Sequence, residues 1–373
     1  MRIAQIVTYV SRDGAFGGPV AVAVAQSVEL ARRGHEVTLL AGGDGAVEFA
    51  VPGVSVKLFA VRSLPVDGFS GLYSSQLRAF LRENLDDFDV FHIHLARDLI
   101  TLPTAAQLRR RGRKYVVQTH GMVMPDGRLR ARIFDAVATS AVLRRAQAVL
   151  TLTDAELAGV RAVARGPIKA VPIANGIAVP NMPTPRRGTM TAEPEVLFLA
   201  RLHPRKRVMT FALMAELLRS RGVTARFTAI GPDEGDLVNL KGFVARTGAL
   251  VYEGTIAQGR GIERIAAADV YVLPSFGEVV PMSVLEALAA GTPTVITSDC
   301  GIAPELERRG AALITDGSPE QLASAVERLL ADPTLRSALA AAGGQVLADT
   351  FGISAVADEL ERTYKTQNVG PPR

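Results

Sequence analysis

The feature that most constrains the fold is a repeated alternation between short apolar runs and helical patterns. In the first half of the chain, apolar runs predict strands at residues 3–8, 36–40, 54–59, 90–94, 114–119, 148–152 and 168–173. Helical patterns lie between most of them, at residues 20–33, 73–83, 99–111, 128–145 and 154–163. Alternation of this kind predicts a parallel sheet that is covered by helices on both faces.

The alternation stops at residues 179–195 and then starts again. This segment is rich in Pro, Thr, Arg and Gly and has no periodicity, which is typical of an interdomain linker. Beyond it, the pattern predicts strands at 196–200, 225–230, 249–252, 270–273, 294–297 and 312–315, and helices at 208–221, 262–267, 283–290, 319–330, 334–347 and 354–366. We therefore predict an α/β chain of two Rossmann-like, doubly wound domains, at residues 1–178 and 196–351.

Composition narrows the class of protein further. A length of 373 residues, 48% of them hydrophobic, suits two globular domains with sizeable cores. The lone cysteine, Cys300, excludes an intramolecular disulfide and fits a reducing compartment. The N-terminal residues do not read as a signal peptide, and no apolar run has the roughly 18 residues that a membrane span needs. We expect a cytoplasmic protein.

Positive charge is concentrated in the first half of the chain. Residues 1–180 hold 22 Lys and Arg against 15 Asp and Glu, whereas the rest holds 20 against 22. Much of the excess lies at residues 109–145, which are either a solvated face or a surface for anionic lipid headgroups or an anionic acceptor. We expect no nucleic-acid partner, because the chain has no Trp and is only 5% aromatic.

Residues 274–291 carry the most specific chemistry in the sequence. Glu278 lies in the turn after the strand at 270–273, and Glu286 lies inside the helix that follows Pro281. Eight residues are a little over two helical turns, so both carboxylates can face the same side. Free backbone N–H groups at the start of the helix suit phosphate oxygens, and the carboxylates can accept from sugar hydroxyls.

This stretch, P-S-x-x-E-x-x-P-x-x-x-x-E-A-x-A-x-G-x-P, resembles the donor-site signature of retaining glycosyltransferases of family 4. The resemblance implies a GT-B fold, in which the two domains face a cleft and a C-terminal helix at 352–367 completes the first domain. It implies that Glu278 positions the hydroxyls of the donor sugar and stabilises developing positive charge. It also implies that Glu286 binds the nucleotide ribose. At the start of the helix, Val280, Met282 and Ser283 are expected to bind the donor.

Further motifs of this family follow the predicted strands. Arg201 and Lys206 resemble its Arg-x4-Lys pair for the donor diphosphate, although Arg207 stands where the family usually has Gly, which leaves open whether Arg205, Lys206 or Arg207 touches phosphate. His120 resembles the strand-end histidine that contacts the transferred sugar. The remaining predicted site residues are Gly231, Glu253 and Gly254 in the nucleotide pocket, and Gly17, Gly18 and His94 on the acceptor side.

We expect the enzyme to need no metal and no cofactor, because two fixed cations and a helix N-terminus can stabilise a diphosphate leaving group. The only Asp-x-Asp, residues 87–89, precedes a strand and is at the wrong edge of the sheet. The acceptor alternatives are a lipid-linked, a polysaccharide or a small-molecule hydroxyl, with peripheral membrane association through residues 109–145. The rival functions are a sugar-nucleotide epimerase, a phosphorylase, and a non-catalytic module that binds sugar nucleotides or membrane surfaces. A nicotinamide oxidoreductase is disfavoured because G-x-G-x-x-G does not follow the first strand.

Overall fold

A computed structural model describes residues 1–10, 18–43, 49–64, 69–177, 193–257 and 259–368. Gly17, and the predicted linker up to residue 192, lie outside the described residues. The chain divides into two compact units: unit 1 is Met1–Ala178 with Ile353–Arg373, and unit 2 is Val179–Gly352.

Unit 1 is built on a parallel sheet with the strand order β3-β2-β1-β6-β7-β8-β9. A separate antiparallel pair, β4 with β5, lies outside this sheet. The strands are β1 (Arg2–Tyr9), β2 (Glu36–Gly43), β3 (Ser55–Ala60), β4 (Arg62–Ser63), β5 (Leu72–Tyr73), β6 (Val90–His94), β7 (Val116–Gln118), β8 (Ala148–Thr151) and β9 (Ala170–Pro172). The helices are α1 (Gly18–Arg32), α2 (Ser75–Glu83), α3 (Thr101–Arg110), α4 (Leu129–Phe134), α5 (Ser140–Arg145) and α6 (Asp154–Ala164). One π-helical segment, Asp135–Thr139, joins α4 to α5.

Burial on both faces of the sheet explains why these apolar runs form strands. Every residue of β6, β7 and β8 is buried, as expected for parallel strands that helices cover on both sides. The main cluster on one face joins Ile6 and Ile93 of the sheet to Leu102 and Leu108 of α3 and to Leu143 of α5. Removing apolar side chains of this size from water stabilises the fold by about 1.5–3 kcal/mol each.

Unit 2 repeats this plan with six parallel strands in the order β12-β11-β10-β13-β14-β15. They are β10 (Glu195–Leu199), β11 (Arg226–Ile230), β12 (Val251–Tyr252), β13 (Val270–Leu273), β14 (Thr294–Thr297) and β15 (Leu313–Thr315). The helices are α7 (Val208–Ser220), α8 (Leu237–Thr247), α9 (Gly261–Ala266), α10 (Met282–Ala290), α11 (Ala303–Arg308), α12 (Pro319–Ala331) and α13 (Pro333–Val346). The two sheets confirm the predicted fold class of two Rossmann-like α/β domains.

The last helix, α14 (Ile353–Asn368), packs in unit 1 although the chain reaches it from unit 2. Val356, Leu360 and Tyr364 are buried with Ile3 of β1 and Leu30 of α1. The backbone N–H of Ile353 also donates to the carbonyl of Ile177 at 3.0 Å. These contacts place the terminal helix against the first sheet.

Three local features differ from the sequence prediction. The helix predicted from residue 73 starts at Ser75, because Ser74 caps it by accepting from Leu77 N–H at 3.2 Å. The helix predicted at 128–145 contains the π-helical segment rather than continuous α-helix. Helices α8 and α11 were not predicted from the sequence. These differences leave the carboxyl ends of the strands, where the site residues follow, in their predicted places.

Each sheet has a position beside which the strand order reverses, between β1 and β6 in unit 1 and between β10 and β13 in unit 2. Ligands of open α/β sheets bind beyond the carboxyl ends of the strands at such a position. Lys206 follows β10 and Glu278 follows β13, so the fold itself brings them to one edge of unit 2.

Candidate active site

A contact at this edge of unit 2 joins a lysine to a glutamate. Lys206 Nζ lies 2.8 Å from Glu278 Oε1, and the guanidinium of Arg205 lies 3.7 Å from the same oxygen. The side chains of Lys206 and Glu278 are both mostly buried, at 15% and 14% exposed. Two residues that are 72 positions apart in sequence therefore form one ion pair at the predicted diphosphate site.

Several hydrogen bonds fix the turn that carries Glu278. The backbone N–H of Gly277 donates to Asp299 Oδ2 at 3.0 Å, and its carbonyl accepts from Arg205 Nη2 at 2.8 Å. The carbonyl of Glu278 accepts from the N–H of Gly301 at 2.7 Å. The loop after β14 and the basic turn after β10 thus hold the 274–281 turn from both sides.

Helix α10 begins at this turn and presents free backbone donors. Its first intrahelical bonds run from Val284 and Leu285 to the carbonyl of Pro281, so the N–H groups of Met282 and Ser283 have no partner within the helix. Val280 is buried just before them. The positive end of the helix dipole and these N–H groups suit an anionic ligand.

Glu286 lies on the second turn of α10 and faces α9. Its carboxylate lies against Gly261, because a Cβ added there would stand 2.7 Å from Oε2. Within the described part of the chain it makes no hydrogen bond or ion pair, and burial raises the pKa of the Glu286 carboxyl from 4.5 to about 7. A half-ionised acceptor near neutral pH is suited to a ligand that brings hydroxyl donors.

Tyr271 is a fully buried residue of β13. Its buried hydroxyl donates to the carbonyl of Leu199 at 3.1 Å. Burial raises the pKa of Tyr271, and the charges of Glu286 and Glu278 raise it further. The charges of both carboxylates therefore act on one residue of β13. That the two carboxylates face the same side of the helix stays a prediction.

The other predicted donor-side residues are Gly231 and Gly254, which bond to each other, and Arg201 and Glu253, which form separate ion pairs. Gly231 packs so closely on the backbone that a Cβ would stand 1.8 Å from the carbonyl oxygen of Ala200, and its N–H donates to the carbonyl of Gly254 at 2.8 Å. Glycine is therefore required at position 231. Arg201 Nη1, by contrast, lies 2.7 and 2.8 Å from the two carboxylate oxygens of Glu234.

Glu253 is held in a different ion-pair network. Its carboxylate oxygens lie 2.6 Å from Arg226 and 3.3 Å from Arg264, which also bind Glu195 at the start of β10. The structure thus brings Lys206 and Glu278 together and leaves Arg201 and Glu253 with other partners. Their role in donor binding stays a prediction.

In unit 1, His120 follows β7 in a left-handed backbone conformation, with φ of 50°. The carboxylate of Glu156 holds the residues on either side of it. Its Oε1 accepts from the hydroxyl of Thr119 at 2.6 Å and from the N–H of Gly121, while its Oε2 accepts from the N–H of Leu152 at 2.6 Å. Glu156 is buried, so these three donors satisfy a carboxylate that water does not reach.

A row of three histidine rings runs inward from His120. The ring plane of His94 is nearly parallel to that of His120, with centroids 5.0 Å apart, and to that of His92, with centroids 4.7 Å apart. His94 Nδ1 lies 2.7 Å from His120 Nε2, and its Nε2 lies 2.9 Å from Gln5 Oε1. Because Gln5 Oε1 accepts, His94 Nε2 carries the proton and His94 Nδ1 accepts from His120.

These histidines are neutral at pH 7. Burial lowers the pKa of His92 and of His120 to about 3 and lowers the pKa of His94 well below its ordinary value. His92 bonds to the hydroxyl of Tyr364 in α14 at 2.7 Å, so the row reaches from the predicted sugar contact to the last helix. His94, predicted on the acceptor side, is fully buried in this row and reaches the edge only through His120.

The remaining predictions concern the glycine loop and metal binding. Gly18 is the first residue of α1, and an added Cβ would meet nothing within 4 Å, so space alone does not require glycine there. Asp89 of the Asp-x-Asp bonds to the backbone and side chain of Arg2 at 2.8 and 3.0 Å. Among the described residues, no group of three or more His, Cys, Asp or Glu side chains is placed to hold a metal ion.

Three residues that hold these two edges were not predicted from the sequence: Glu156 in unit 1, and Asp299 and Gly261 in unit 2. Glu156 could have been found as the last residue of a capping box, Thr153-x-x-Glu156, since Thr153 Oγ1 accepts from Glu156 N–H at 3.1 Å. Asp299 could have been found by its place just after β14. Gly261 gave no signal, because its closeness to Glu286 depends on how α9 packs on α10.

Two known family models match most of the chain. A "Glycosyl transferase 4-like domain" matches residues 17–176, and "Glycosyl transferases group 1" matches residues 193–332. D-inositol 3-phosphate glycosyltransferase of Rhodococcus jostii is 24% identical, over 95% of this chain and 86% of that protein. Alpha-D-kanosaminyltransferase of Streptomyces kanamyceticus is 28% identical, over 63% of this chain and 65% of that protein.

Solved structures show the same fold along the full chain. Sucrose-phosphate synthase from Thermosynechococcus elongatus superposes with a TM-score of 0.75 at 19% identity, covering 98% of each chain. HepE of Anabaena, in complex with UDP-glucose, superposes with a TM-score of 0.73 at 17% identity, covering 98% of this chain and 100% of that one. The two family models, which together match most of the chain, define a glycosyltransferase. The chain belongs to the family 4-like glycosyltransferases of the GT-B fold, which confirms the predicted family.

Proposed function

We propose that this glycosyltransferase moves a sugar from a nucleotide-diphosphate sugar to an acceptor hydroxyl, with retention of anomeric configuration and without a metal ion. The observation that carries the proposal is the Lys206–Glu278 ion pair beside the N-terminus of α10. A lysine, neighbouring arginines and free N–H groups suit a diphosphate, and a carboxylate next to them suits the hydroxyls of the attached sugar.

In the proposed complex, the donor diphosphate replaces Glu278 as the partner of Lys206. Arg201 uses only Nη1 to bind Glu234, so other N–H groups of its guanidinium remain for phosphate oxygens. Met282 and Ser283 add backbone N–H donors. Glu286 accepts from the ribose hydroxyls, and Glu278, released from Lys206, accepts from the donor sugar.

The proposed reaction takes place on one face of the sugar ring. The bond between the anomeric carbon and the phosphate oxygen breaks while the acceptor oxygen bonds to the same face. The acceptor proton passes to the leaving phosphate oxygen, so no protein base is needed. Lys206 and Arg201 stabilise the charge that develops on that phosphate, which is the role otherwise filled by a metal ion.

The first experiment is a thermal shift with UDP, GDP, ADP and CMP, each with magnesium and with a chelator. UDP is a reasonable first ligand because HepE, which shares the fold, has been solved with UDP. A nucleotide at a hundred times its Kd stabilises by about 2.7 kcal/mol, which raises Tm by roughly 5–10 °C. We expect Glu286→Ala to lose this shift and the exposed control Glu320→Ala, in α12, to keep it.

Four results would count against this proposal. Nucleotide binding that needs magnesium would refute metal independence. An equal shift in Glu286→Ala would remove Glu286 from the donor site. Transfer by Glu278→Ala at a rate close to wild type would remove Glu278 from catalysis, and an inverted product anomer in NMR spectra would refute retention.

We also propose a lipid-linked acceptor ahead of a polysaccharide or small-molecule acceptor, with peripheral association of unit 1 at an anionic membrane. The excess of basic residues at 109–145 supports this choice. Within the described residues, no helix is long and apolar enough to cross a bilayer. Transfer to a membrane-extracted acceptor, compared with transfer to water-soluble glycans, tests the choice directly.

A further inference from the structure

One helical face in unit 1 exposes large aliphatic side chains that the fold does not use. Leu129, Ile133 and Val137 are 70%, 54% and 76% exposed. They are spaced by four residues, so they form one stripe about 12 Å long. Met122, in the preceding loop, is also exposed. Exposed aliphatic residues grouped in this way mark an interaction surface more often than residues scattered singly.

Arginines flank this stripe, and neither acidic side chain of residues 109–145 is free. Arg130 and Arg132 are exposed and make no ion pair with any described residue. Residues 109–145 contain ten Lys and Arg but only two acidic residues, Asp126 and Asp135. Asp126 pairs with Arg128 at 2.6 Å, and Asp135 is buried against Arg97. The outward face is therefore apolar and cationic.

A buried ion pair holds the stripe in place. Arg97 binds both carboxylate oxygens of Asp135, at 2.8 and 2.9 Å, and donates to the carbonyls of Met122 and Met124 at 3.3 and 2.7 Å. Asp135 is the first residue of the π-helical segment. The loop and the helix are thus fastened from the inside while Leu129, Ile133 and Val137 stay outside.

We propose that this face, made of Met122, Leu129, Arg130, Arg132, Ile133 and Val137, docks on the surface of a bilayer that contains anionic lipid. This proposal rests on the membrane association proposed above and assigns it to α4 and the π-helical segment rather than to residues 109–114. The aliphatic side chains enter the boundary between headgroups and acyl chains, and the arginines bind lipid phosphates. The bilayer is the occupant we favour because exposed aliphatic side chains, next to arginines that pair with no described residue, match the acyl boundary and the phosphates of anionic lipid.

The test measures binding of the full chain to vesicles of phosphatidylcholine alone or mixed with phosphatidylglycerol. Each face variant has a composition-matched control elsewhere on the surface. Leu129→Ser/Val137→Ser is compared with Leu213→Ser/Val238→Ser in unit 2, whose side chains are 45% and 80% exposed. Arg130→Gln/Arg132→Gln is compared with Arg110→Gln/Arg111→Gln at the end of α3.

We expect wild type to bind the anionic vesicles. Each face variant should bind them at least about tenfold more weakly, because one loses two cations near the lipid phosphates and the other loses two apolar side chains from the acyl boundary. Both controls should bind within about threefold of wild type. The UDP thermal shift should be the same in all five proteins, so failure here is distinct from failure of the donor site.

Two outcomes would overturn the proposal. Equal losses in the arginine variant and its control would mean that general charge, not this face, binds lipid. The other outcome is that wild type does not bind the vesicles but sediments as a dimer, and that Leu129→Ser/Val137→Ser is a monomer. This result would mean that a second copy of the chain covers the face.

Discussion

The histidine row of unit 1 and the glutamates of unit 2 occupy equivalent edges of similar sheets but use opposite physical chemistry. In unit 1, neutral rings are buried and bonded to neutral groups such as Gln5 and Tyr364. In unit 2, Lys206 and Glu278 are charged and neutralise each other. One edge is held by hydrogen bonds between neutral groups, and the other by an ion pair whose cation is, in the proposed function, taken over by the donor diphosphate.

This difference suggests a division of labour between the two units. A donor brings two or more negative charges, so ion pairs that exchange one anion for another can bind it without leaving a cation unpaired. A sugar ring brings only neutral hydroxyls, for which shape and fixed hydrogen-bonding atoms matter more. Preorganised groups of this kind gain catalytic power because they do not reorganise during the reaction.

The largest expected effect on activity is that of removing the Glu156 carboxylate, which holds the turn around His120 in unit 1. Glu156→Gln removes an acceptor oxygen from a buried carboxylate that holds Thr119, Gly121 and Leu152. We expect kcat to fall about 100-fold, since a displacement of about 1 Å at a contact to the reacting sugar can cost that much. The Kd for UDP should be unchanged, because Glu156 is in unit 1 and UDP carries no sugar for the His120 turn to contact.

The matched control for this variant is Asp154→Asn. It removes a carboxylate from the same first turn of α6, but Asp154 is exposed. The measurement is kcat together with the Kd for UDP, in variants whose circular dichroism matches wild type. If Glu156→Gln and Asp154→Asn have the same kcat, the idea that the turn around His120 must be fixed is wrong.

Much of the fold could be predicted because it depends on local pattern. The predicted strands at 90–94, 270–273 and 294–297 agree with β6, β13 and β14, since buried parallel strands are short apolar runs with clear ends. Helix α8 was missed because Asn239, Gly242 and Thr247 interrupt its apolar pattern with residues that disfavour helix.

The site was predictable only to the level of the sheet edge. Lys206 and Glu278 could be placed together because both follow central strands of one sheet. Two other features depend on side-chain contacts between residues 33 to 37 positions apart. They are the ion pair of Arg201 with Glu234 and the hydrogen bonds from the His120 turn to Glu156. Periodicity carries no information on such contacts.

The second expected effect is on the pH dependence of stability, which has opposite signs for Glu286 in unit 2 and for the buried histidines of unit 1. The pKa of Glu286 is raised to about 7 in the folded protein against 4.5 when unfolded, so the folded state binds more protons between these values. Its contribution to stability is therefore lost as pH rises from about 4.5 to 7. The pKa values of His92 and His120 are lowered to about 3, so their contribution is lost as pH falls from about 6.5 towards 3.

Urea unfolding of Glu286→Gln and wild type at pH 4.5 and pH 8 measures the first of these responses. We expect the variant to be more stable at pH 8 by up to about 3 kcal/mol, and close to wild type at pH 4.5. His92→Gln should instead reduce the loss of stability between pH 6.5 and 4.5. A Glu286→Gln gain that is the same at both pH values would show that burial of the ionised carboxylate is not its cause.

The smallest expected effect is that of replacing Arg207. Three consecutive cations follow β10, Arg205, Lys206 and Arg207, and this prediction tests which of them contacts phosphate. Arg207 has a left-handed backbone, with φ of 55°, a conformation that glycine adopts at no steric cost. Its guanidinium lies 3.5 Å from the carbonyl of Pro274, and Gly317 lies beside it, whereas Lys206 is the cation paired with Glu278. Arg207→Gly should therefore change the UDP Kd by less than about threefold and stability by less than about 1 kcal/mol, and Lys206→Ala should raise the Kd more than tenfold. Calorimetric titration with UDP measures the Kd of both variants. Equal losses of affinity would mean that Arg207 also binds phosphate, and that the cations of unit 2 available to the donor are not limited to Lys206.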